Sequence, residues 1–381
     1  MELTKLVGLG LNQIFLTVMD NIIDQLCKTD GLITPEDTRP QSFFYSVYQT
    51  FQRAEKVAGG PKNRFYSTGG YNIKLRFAGS ALIPFITPAL EHLSSQPTSS
   101  PSLTVCLWDS ASTRTIMPPP PWSMDDYITR GEIRSYNEGS IRTSYYPGSG
   151  VLNILNINLN VAVYWIRNAY QIPYYESGSP LLPILHWWMC NHGRQLVHAG
   201  AVGTAKGGVL LIGKAGSGKS TMALVCLNSE LLYVSDDYCL ITTNPEPYAY
   251  SMYNSGKVNA EDIKRFPFLA QSLSNPSRLE TEKALYFLYK HFPDKISTGF
   301  PIRAILLPRV TGFPLTRLKR ISSSACLLAL APSTIFQLPG AGHKTLESLS
   351  EILKQVPCYI LEMGNDISKI PYAILSLLSE H

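Results

Sequence analysis

The sequence has no long apolar run, no cluster of basic residues and no closely paired cysteines. None of its apolar stretches approaches the roughly 18 residues that a membrane-spanning helix needs, so we expect no membrane segment. The net charge is only +5 and no Lys/Arg run accompanies it, which argues against nucleic acid as the main partner. The seven cysteines contain no C-x-x-C pair, a pattern typical of free thiols in a reducing compartment. Because the N-terminus also lacks a signal-peptide cleavage site, we expect a cytoplasmic protein.

The chain is long enough for two domains, and its character changes near residue 196. Its 381 residues exceed the size of one typical domain, and a hydrophobic fraction of 45% can fill well-formed cores. Residues 1–195 show helical and alternating apolar patterns but no catalytic motif, which predicts a mixed α/β domain rich in strands. Residues 196–381 follow the order strand, loop, helix and predict a second, α/β domain.

Periodicity places several elements in each half. Apolar residues from Leu11 to Leu26 recur at helical spacing and predict an amphipathic helix, which packs either on its own domain or on a partner helix. Residues 28–70 are interpreted as irregular and residues 242–300 as loop-rich. The remaining predicted elements are strands at 73–77, 103–108, 209–212, 231–234, 304–307 (ended by Pro308) and 359–361, one or two strands within 151–165, and helices at 89–93, 181–190 and 370–378.

The most specific motif is the run Gly213 to Ser220, GKAGSGKS, which fits the pattern G-x-x-x-x-G-K-[ST] at every fixed position. A fully apolar run precedes it, and residues 221–227 have the pattern of a helix. Glycines allow the backbone to turn successive N–H groups toward phosphate oxygens, and the start of a helix adds partial positive charge. Strand, loop and helix in this order predict a phosphate-binding loop.

The motif also predicts what individual residues of the loop do. Lys219 would reach the β- and γ-phosphates of a nucleotide, and the Ser220 hydroxyl would bind Mg²⁺. The residues expected to bind the nucleotide are Gly213, Ala215, Gly216, Ser217, Gly218, Lys219, Ser220 and Thr221.

Two further features lie near the loop in sequence. Asp236 and Asp237 follow the predicted strand at 231–234, where phosphate-loop proteins commonly present an acid to the metal. Because side chains alternate in direction along an extended chain, one acid can hold Mg²⁺ while the other faces an acceptor hydroxyl. His198 precedes the loop, and its position alone fits a catalytic residue and a hydrogen-bonded structural residue equally well.

Three ordered motifs resemble the HPr kinase/phosphorylase family and its kinase relatives. They are His198-Ala199-Gly200, the loop from Gly213 to Ser220, and Tyr233 to Asp237. The family has a His-Gly or His-Ala stretch, then G-x-x-x-x-G-K-S, then a Val-Ala-Asp-Asp-type motif at similar separations. The resemblance is strong over residues 197–240 and weaker at 305–308 and 361–366. It implies an α/β P-loop fold related to phosphoenolpyruvate carboxykinase, with ATP and Mg²⁺ as ligands, joined here to a mixed, strand-rich α+β N-terminal domain.

The resemblance also implies roles by motif position. It makes Asp236 the base on the acceptor hydroxyl, Asp237 an Mg²⁺ ligand, and His198 a histidine near the reacting phosphate and the base. In monofunctional relatives a Tyr-x-x-Lys-type stretch often follows the acid pair, and Tyr253 to Lys257 is the candidate here. Lys257 either neutralises the transferring phosphoryl group or is an exposed loop lysine.

The sequence departs from the bifunctional members of that family. The Glu-Ile-Arg-Gly signature that follows their acid pair is missing, and the N-terminal half does not resemble their regulatory domain. The chain is therefore more similar to monofunctional relatives, some of which phosphorylate serine in ribosomally made peptides or in other small substrates. Arg303 and Arg309, which flank a predicted strand, are weaker candidates for the site.

These observations predict an ATP- and Mg²⁺-dependent kinase that acts on a hydroxyl, with serine of a peptide or protein as the first choice of acceptor. The alternatives are a small-molecule kinase with the same machinery, and a nucleotide-dependent switch or ATPase whose N-terminal domain binds a partner. We expect residues 1–195 to recognise the acceptor and residues 196–381 alone to hold ATP. The oligomeric state stays open, with a homo-oligomer among the alternatives.

Overall fold

The computed structural model describes residues 38–380, which form a mixed α/β structure with two large sheets and a two-stranded ribbon. The helix predicted from Leu11 to Leu26 lies outside the described residues. None of the helices within 38–380 combines the length and apolar character needed to cross a bilayer.

The helices and strands follow one another along the whole described chain. The helices are α1 Thr38–Val57, α2 Ile83–Ile86, α3 Ser110–Thr113, α4 Tyr174–Gly178, α5 Leu182–Cys190, α6 Lys219–Val225, α7 Ser323–Ile335, α8 His343–Gln355 and α9 Ile370–Ser379. The strands are β1 Pro61–Thr68, β2 Tyr71–Ala78, β3 Leu103–Asp109, β4 Ile141–Tyr146, β5 Val151–Asn156, β6 Val161–Ile166, β7 Gln195–Val197, β8 Gly200–Thr204, β9 Gly207–Leu211, β10 Leu232–Ser235, β11 Cys239–Thr242, β12 Tyr248–Ser251, β13 Ser255–Val258, β14 Ala284–Phe287, β15 Gly299–Val310, β16 Arg317–Ile321 and β17 Cys358–Met363.

The first sheet has six strands in the order β1-β2-β3-β6-β5-β4 and is mixed, since β3 runs parallel to both β2 and β6. Helix α1 covers one face, with Phe44, Val47 and Phe51 packed into a core that includes Trp108. The opposite face packs on α5 and on residues of the second half. Both faces are therefore buried, which explains the almost continuous apolar character of β3, β5 and β6.

The second sheet carries the phosphate-loop motif. Its main path runs β10-β8-β9-β15-β12-β11-β7. Strand β17 pairs with residues 305–310 of β15 on one side and with β16 on the other. Helices α6 and α9 pack on one face and α7 and α8 on the other, so this half has three layers. The long strand β15 lies parallel to both β9 and β17 and forms the centre of the sheet.

Most of the predicted elements are confirmed, including two separate strands within 151–165, the helix at 181–190 and the closing helix at 370–378. The interpretation of residues 28–70 as irregular is wrong within the described part. Helix α1 occupies Thr38–Val57 and presents Phe44, Val47 and Phe51 at helical spacing. Residues 242–300 likewise contain β12, β13 and β14, so calling that segment loop-rich is correct only in part.

Pro308 does not end its strand, contrary to the prediction from the sequence. It pairs with Leu361 in the parallel register of β15 and β17, and β15 continues to Val310. The Leu306 carbonyl accepts from the Ile212 N–H on the β9 side. The main-chain groups of alternate residues in a strand point to the same side, so those of Pro308 also point toward β9. The Pro308 nitrogen therefore faces the side where β9 has already ended, and no ladder hydrogen bond is lost there.

The two halves share one hydrophobic core. Leu240, Met252 and Tyr253 from the second half lie in the same buried cluster as the inner face of the first sheet. Tyr253 Oη also donates to the Pro180 carbonyl at 2.9 Å. The expected boundary between residues 195 and 196 falls inside β7, which pairs with β11 in the second sheet. The second half therefore depends on the first for the cover of part of its core.

We predict that a chain beginning at Trp188 does not reach a cooperative native fold. Removal of the first sheet exposes the apolar face that Leu240, Met252 and Tyr253 share with it, and a large exposed apolar patch favours aggregation. Near-ultraviolet circular dichroism and thermal unfolding of the fragment, beside the full chain, measure this. A fragment that unfolds cooperatively and binds ATP would contradict the shared core and restore the expectation that residues 196–381 act alone.

Candidate active site

The strand order brings three separate sequence segments to one edge of the second sheet. Strand β8 is antiparallel to both of its neighbours, β9 and β10. The start of β8 therefore lies where β9 and β10 end. His198 precedes β8, the loop follows β9, and Asp236 and Asp237 follow β10. This topology explains why residues distant in sequence converge on one site.

The loop backbone adopts conformations that favour glycine. Gly213, Gly216 and Gly218 have φ values of 137°, 77° and 101°. A Cβ atom at Gly218 would also lie 2.5 Å from Met363 Cε, and one at Gly213 would lie 2.8 Å from Ser217 Oγ. The motif glycines are therefore required both by the backbone and by the close packing around the loop.

Two side chains of the loop bear directly on phosphate binding. Lys219 is buried and donates from Nζ to the carbonyls of Gly213, at 2.7 Å, and Lys214, at 3.3 Å. Burial lowers the pKa of Lys219, although the charges of Asp237 and Asp236 oppose the shift. Ser217 Oγ is buried and has no hydrogen-bond partner among the described residues. A hydroxyl of this kind at the bend of the loop suits an anionic ligand.

Asp236 lies behind the loop and is almost fully buried. The residue is 2% exposed. Its Oδ2 accepts from the Lys257 backbone N–H at 3.0 Å, and the Ser220 hydroxyl lies close enough to its carboxyl group to act against the rise of its pKa. Burial, followed by the charge of Asp237, raises the pKa of Asp236 to about 7. The structure thus pairs Asp236 with the loop serine that the motif assigns to Mg²⁺.

Asp237 contacts a histidine and a lysine side chain at once. Its Oδ1 lies 2.9 Å from His198 Nε2, and its Oδ2 lies 2.7 Å from Lys257 Nζ. Burial alone would raise the pKa of the Asp237 carboxyl, but the charges of Lys257 and His198 outweigh it and hold that pKa well below its usual range. Asp237 is therefore an anchor that stays ionised.

His198 has an oxygen atom beside each of its ring nitrogens. Its Nδ1 lies 3.2 Å from the Ser333 carbonyl oxygen, and its Nε2 lies 2.9 Å from Asp237 Oδ1. These two contacts fix the orientation of the ring. The Tyr238 ring lies beside it, with ring centroids 5.2 Å apart.

Lys257 belongs to the site and is not an exposed loop lysine. Its side chain is 10% exposed, and besides Asp237 it donates from Nζ to Ser179 Oγ at 2.8 Å. Arg303, by contrast, lies away from the site, near Glu246 and the Lys206 carbonyl. Arg309 lies within 4.0 Å of Glu362 and borders a separate, mostly apolar cavity of about 660 Å³ beside the loop.

One cavity of about 400 Å³ connects these groups. Every predicted loop residue except Gly213 borders it, as do His198, Asp237 and Lys257. Asp236 does not, because Ser220 and Lys257 cover it. Part of the remaining wall is Met363, Gly364 and Asn365, which lie within the weaker resemblance at 361–366. The rest comes from residues that the sequence did not single out: Val258, Asn259, Asp262, Arg265, Lys283, Val310 and Ile367.

The sequence gives no sign of Gly178 and Ser179, which hold Lys257 in place. A Cβ atom at Gly178 would lie 2.7 Å from Lys257 Cε, so only glycine leaves room for the lysine side chain. The Gly178 carbonyl also accepts from the Ser255 hydroxyl. Both residues belong to the first half and lie far from Lys257 in the chain, and no local pattern marks such a contact.

Comparison with known proteins adds little to this geometry. No protein-family model matches the chain, and no curated protein matches it. Among solved structures, the chain is similar to the HPr(Ser) kinase/phosphatase from Coxiella burnetii, with 17% sequence identity and a TM-score of 0.26 over 49% of this chain and 95% of that one. The geometry of the site, and not this similarity, carries the function proposed below.

We predict that Gly178→Ala displaces the Lys257 ammonium group while the chain stays folded, and that any phosphoryl transfer at this site falls by about ten- to hundredfold. One lost charge contact costs about 1.5–3 kcal/mol, and about 1.4 kcal/mol corresponds to tenfold. Gly148→Ala is the matched control, because a Cβ there meets nothing within 4 Å. Transfer rates and thermal unfolding of both variants measure this, and equal rates in the two would contradict the positioning role of Gly178.

Proposed function

We propose that the chain is an ATP- and Mg²⁺-dependent kinase that transfers the γ-phosphoryl group to a hydroxyl, with serine of a peptide or protein as the first choice of acceptor. One observation carries the proposal. The phosphate loop and the Asp237 cluster with His198 and Lys257 meet around a single cavity, and Asp236 lies directly behind Ser220 of its wall. Phosphoryl transfer needs this combination of positioned phosphates, a metal position and fixed positive charge.

The residues present fit Mg²⁺. Ser220 and Asp236 together offer a hydroxyl and a carboxylate next to the loop. Within residues 38–380 no group of three or more His, Cys, Asp or Glu could hold a metal by itself. Mg²⁺ is commonly held by only one or two carboxylates together with substrate phosphates, so such a pair is sufficient. Bound there, the ion would neutralise charge on the phosphate oxygens.

Fixed cations supply the rest of the electrostatic stabilisation. Lys219 and Lys257 border the cavity, and His198 lies beside them. The negative charge of the transferring group is spread over its three equatorial oxygens, and positive groups held in place stabilise it without reorganisation. Because Asp237 holds His198 and Lys257 through both carboxylate oxygens, their positions are set before any substrate binds.

The positions of the two acids support a division of labour opposite to the one that the family resemblance implies. Asp236 is covered and lies against Ser220, which favours the metal side. Asp237 borders the open cavity, where an acceptor hydroxyl can reach it. We therefore propose Asp236 as the metal acid and Asp237 as the residue that orients the acceptor and anchors the lysine and the histidine. A loose transition state needs positioning more than a strong base, so the low pKa of Asp237 does not prevent this role.

The first half of the chain is proposed to help orient the acceptor. Ser179 touches Lys257, and the charges of Lys257 and Asp237 act on the nearby Tyr174 hydroxyl. Residues of the first half therefore contact the Lys257 side chain, which itself borders the cavity. A small-molecule acceptor fits the same machinery. A nucleotide-dependent switch fits less well, because a switch needs a metal ligand but no second acid on the open face.

We predict that Asp236→Asn weakens Mg²⁺-dependent ATP binding, whereas Asp237→Asn keeps ATP binding and loses phosphoryl transfer by about 10²–10⁴-fold. The amide at Asp237 lacks the charge that anchors Lys257, while the amide at Asp236 is a poorer metal ligand. Calorimetry with ATP and Mg²⁺ measures binding, and transfer of radiolabelled γ-phosphate from ATP into a lysate of the source organism measures activity and reveals the acceptor.

The two variants also decide between the alternatives. If Asp236→Asn keeps binding and loses transfer while Asp237→Asn loses the metal, the roles implied by the family resemblance are correct instead. Steady ATP hydrolysis that needs no acceptor and labels no species would contradict the kinase and favour the switch.

A further inference from the structure

A second, larger cavity lies at the seam between the two halves, and no residue of the phosphate loop borders it. Its volume is about 860 Å³. The walls come from α5, from the ends of β7 and β11, and from the start of α8. We call it the seam cavity, and it is bordered by Arg142, His186, Trp187, Cys190, Asn191, Gly193, Arg194, Gln195, Ile241, Thr242, Thr243, Asn244, Gly340, Ala341, Gly342, His343, Lys344, Thr345 and Ser348.

The lining of the seam cavity is basic. Arg142, Arg194 and Lys344 contribute positive charge, and no Asp or Glu borders the cavity. Two acids lie nearby. Glu132 is half-buried near Arg142, where its charge acts on that guanidinium, and exposed Glu347 lies 3.3 Å from His343. Three cations against these two carboxylates leave the cavity attractive to an anion.

One hydroxyl on the wall of the seam cavity lacks a partner among the described residues. Thr345 is 4% exposed as a residue, and its hydroxyl has no hydrogen-bond partner within residues 38–380. His186 is 2% exposed, and its Nδ1 lies 3.4 Å from Cys190 Sγ, whose own S–H is directed at Gln195 Oε1. A polar group without a protein partner needs a ligand or water. The Thr345 hydroxyl on the wall of a basic cavity therefore points to a ligand.

The start of helix α8 adds main-chain donors to the same wall. The first hydrogen bond within this 13-residue helix joins the Leu346 N–H to the Gly342 carbonyl. The N–H groups of His343, Lys344 and Thr345 precede that bond and have no acceptor inside the helix. Together with the partial positive charge of the helix terminus, they form a surface that suits a tetrahedral anion.

We propose that the seam cavity binds a small phosphate-bearing molecule, at a site separate from the phosphate loop. Guanidinium and ammonium groups, main-chain N–H groups and the neutral hydroxyl of Thr345 approach from several directions, as recognition of a phosphate dianion requires. This assignment holds whether or not the chain is a kinase, because no residue of the candidate active site takes part in it.

The seam cavity is also connected to the candidate active site. Gly340, Ala341 and Gly342 lie in the segment between α7 and α8. Gln337 in that segment accepts from Tyr238 Oη at 2.7 Å, and the Tyr238 ring lies beside His198. A ligand in the seam cavity therefore contacts the chain segment that supports the histidine.

The test is a calorimetric titration of pyrophosphate into the full chain carrying Lys219→Ala, which weakens the phosphate loop as a competing site. In this background we expect Lys344→Gln to weaken binding by about tenfold, since a hydrogen bond to a charged group is lost. Thr345→Val, which keeps the shape of the side chain, should weaken it by a smaller factor. Lys354→Gln, near the other end of the same helix, is the matched control and should bind like the background chain.

The outcome is decisive in each direction. Equal affinity in all four proteins would place the bound pyrophosphate elsewhere and overturn the proposal, and so would the absence of binding at millimolar concentration. Citrate serves as a carboxylate probe of similar charge. Citrate binding as tight as that of pyrophosphate, and equally sensitive to Lys344→Gln, would overturn the assignment to phosphate. The titration does not depend on catalysis, so a chain that proves not to be a kinase would give the same binding results. The proposed function and the proposed seam cavity site are therefore tested independently.

Discussion

The site depends on one carboxylate that is shared by a lysine and a histidine. Asp237 contacts His198 through one oxygen and Lys257 through the other, and the three residues come from different elements. A partly buried ion pair gains little stability by itself, because desolvation offsets much of the attraction, but the loss of one member leaves the others buried and unpaired. Asp237 therefore matters less for overall stability than for the position of the charges that surround the loop.

That constraint also joins the two halves of the chain. Lys257 reaches Asp237 only because Gly178 leaves space for it, and its ammonium group also binds Ser179. On the other side, β13 approaches helix α6 so closely that a Cβ at Gly256 would lie 2.6 Å from Leu224. The phosphate loop, the β13–β14 ribbon that carries Lys257, and the first half are thus packed as one unit. This agrees with the shared hydrophobic core.

Local patterns predict the loop, the acid pair and most strands, because each is encoded by neighbouring residues. The phosphate loop needs glycines at fixed spacing, and short apolar runs such as β9 need only burial on both faces. Helix α1 was also predictable, since Phe44, Val47 and Phe51 have helical spacing despite the polar residues between them. The continuation of β15 through Pro308 was not, because it depends on where the neighbouring strand ends. The contacts of Gly178 and Ser179 with Lys257 depend on tertiary structure, which no local pattern records.

The central claim is that the loop and the Asp237 cluster act together on a phosphoryl group. Its most direct test is the transfer of labelled γ-phosphate from ATP by the wild-type chain and by Lys219→Ala, with exposed Lys206→Ala in the β8–β9 turn as the control. The account predicts transfer by the wild type and the control, and its loss in Lys219→Ala at an unchanged unfolding temperature. Transfer at the wild-type rate by a folded Lys219→Ala chain would contradict it.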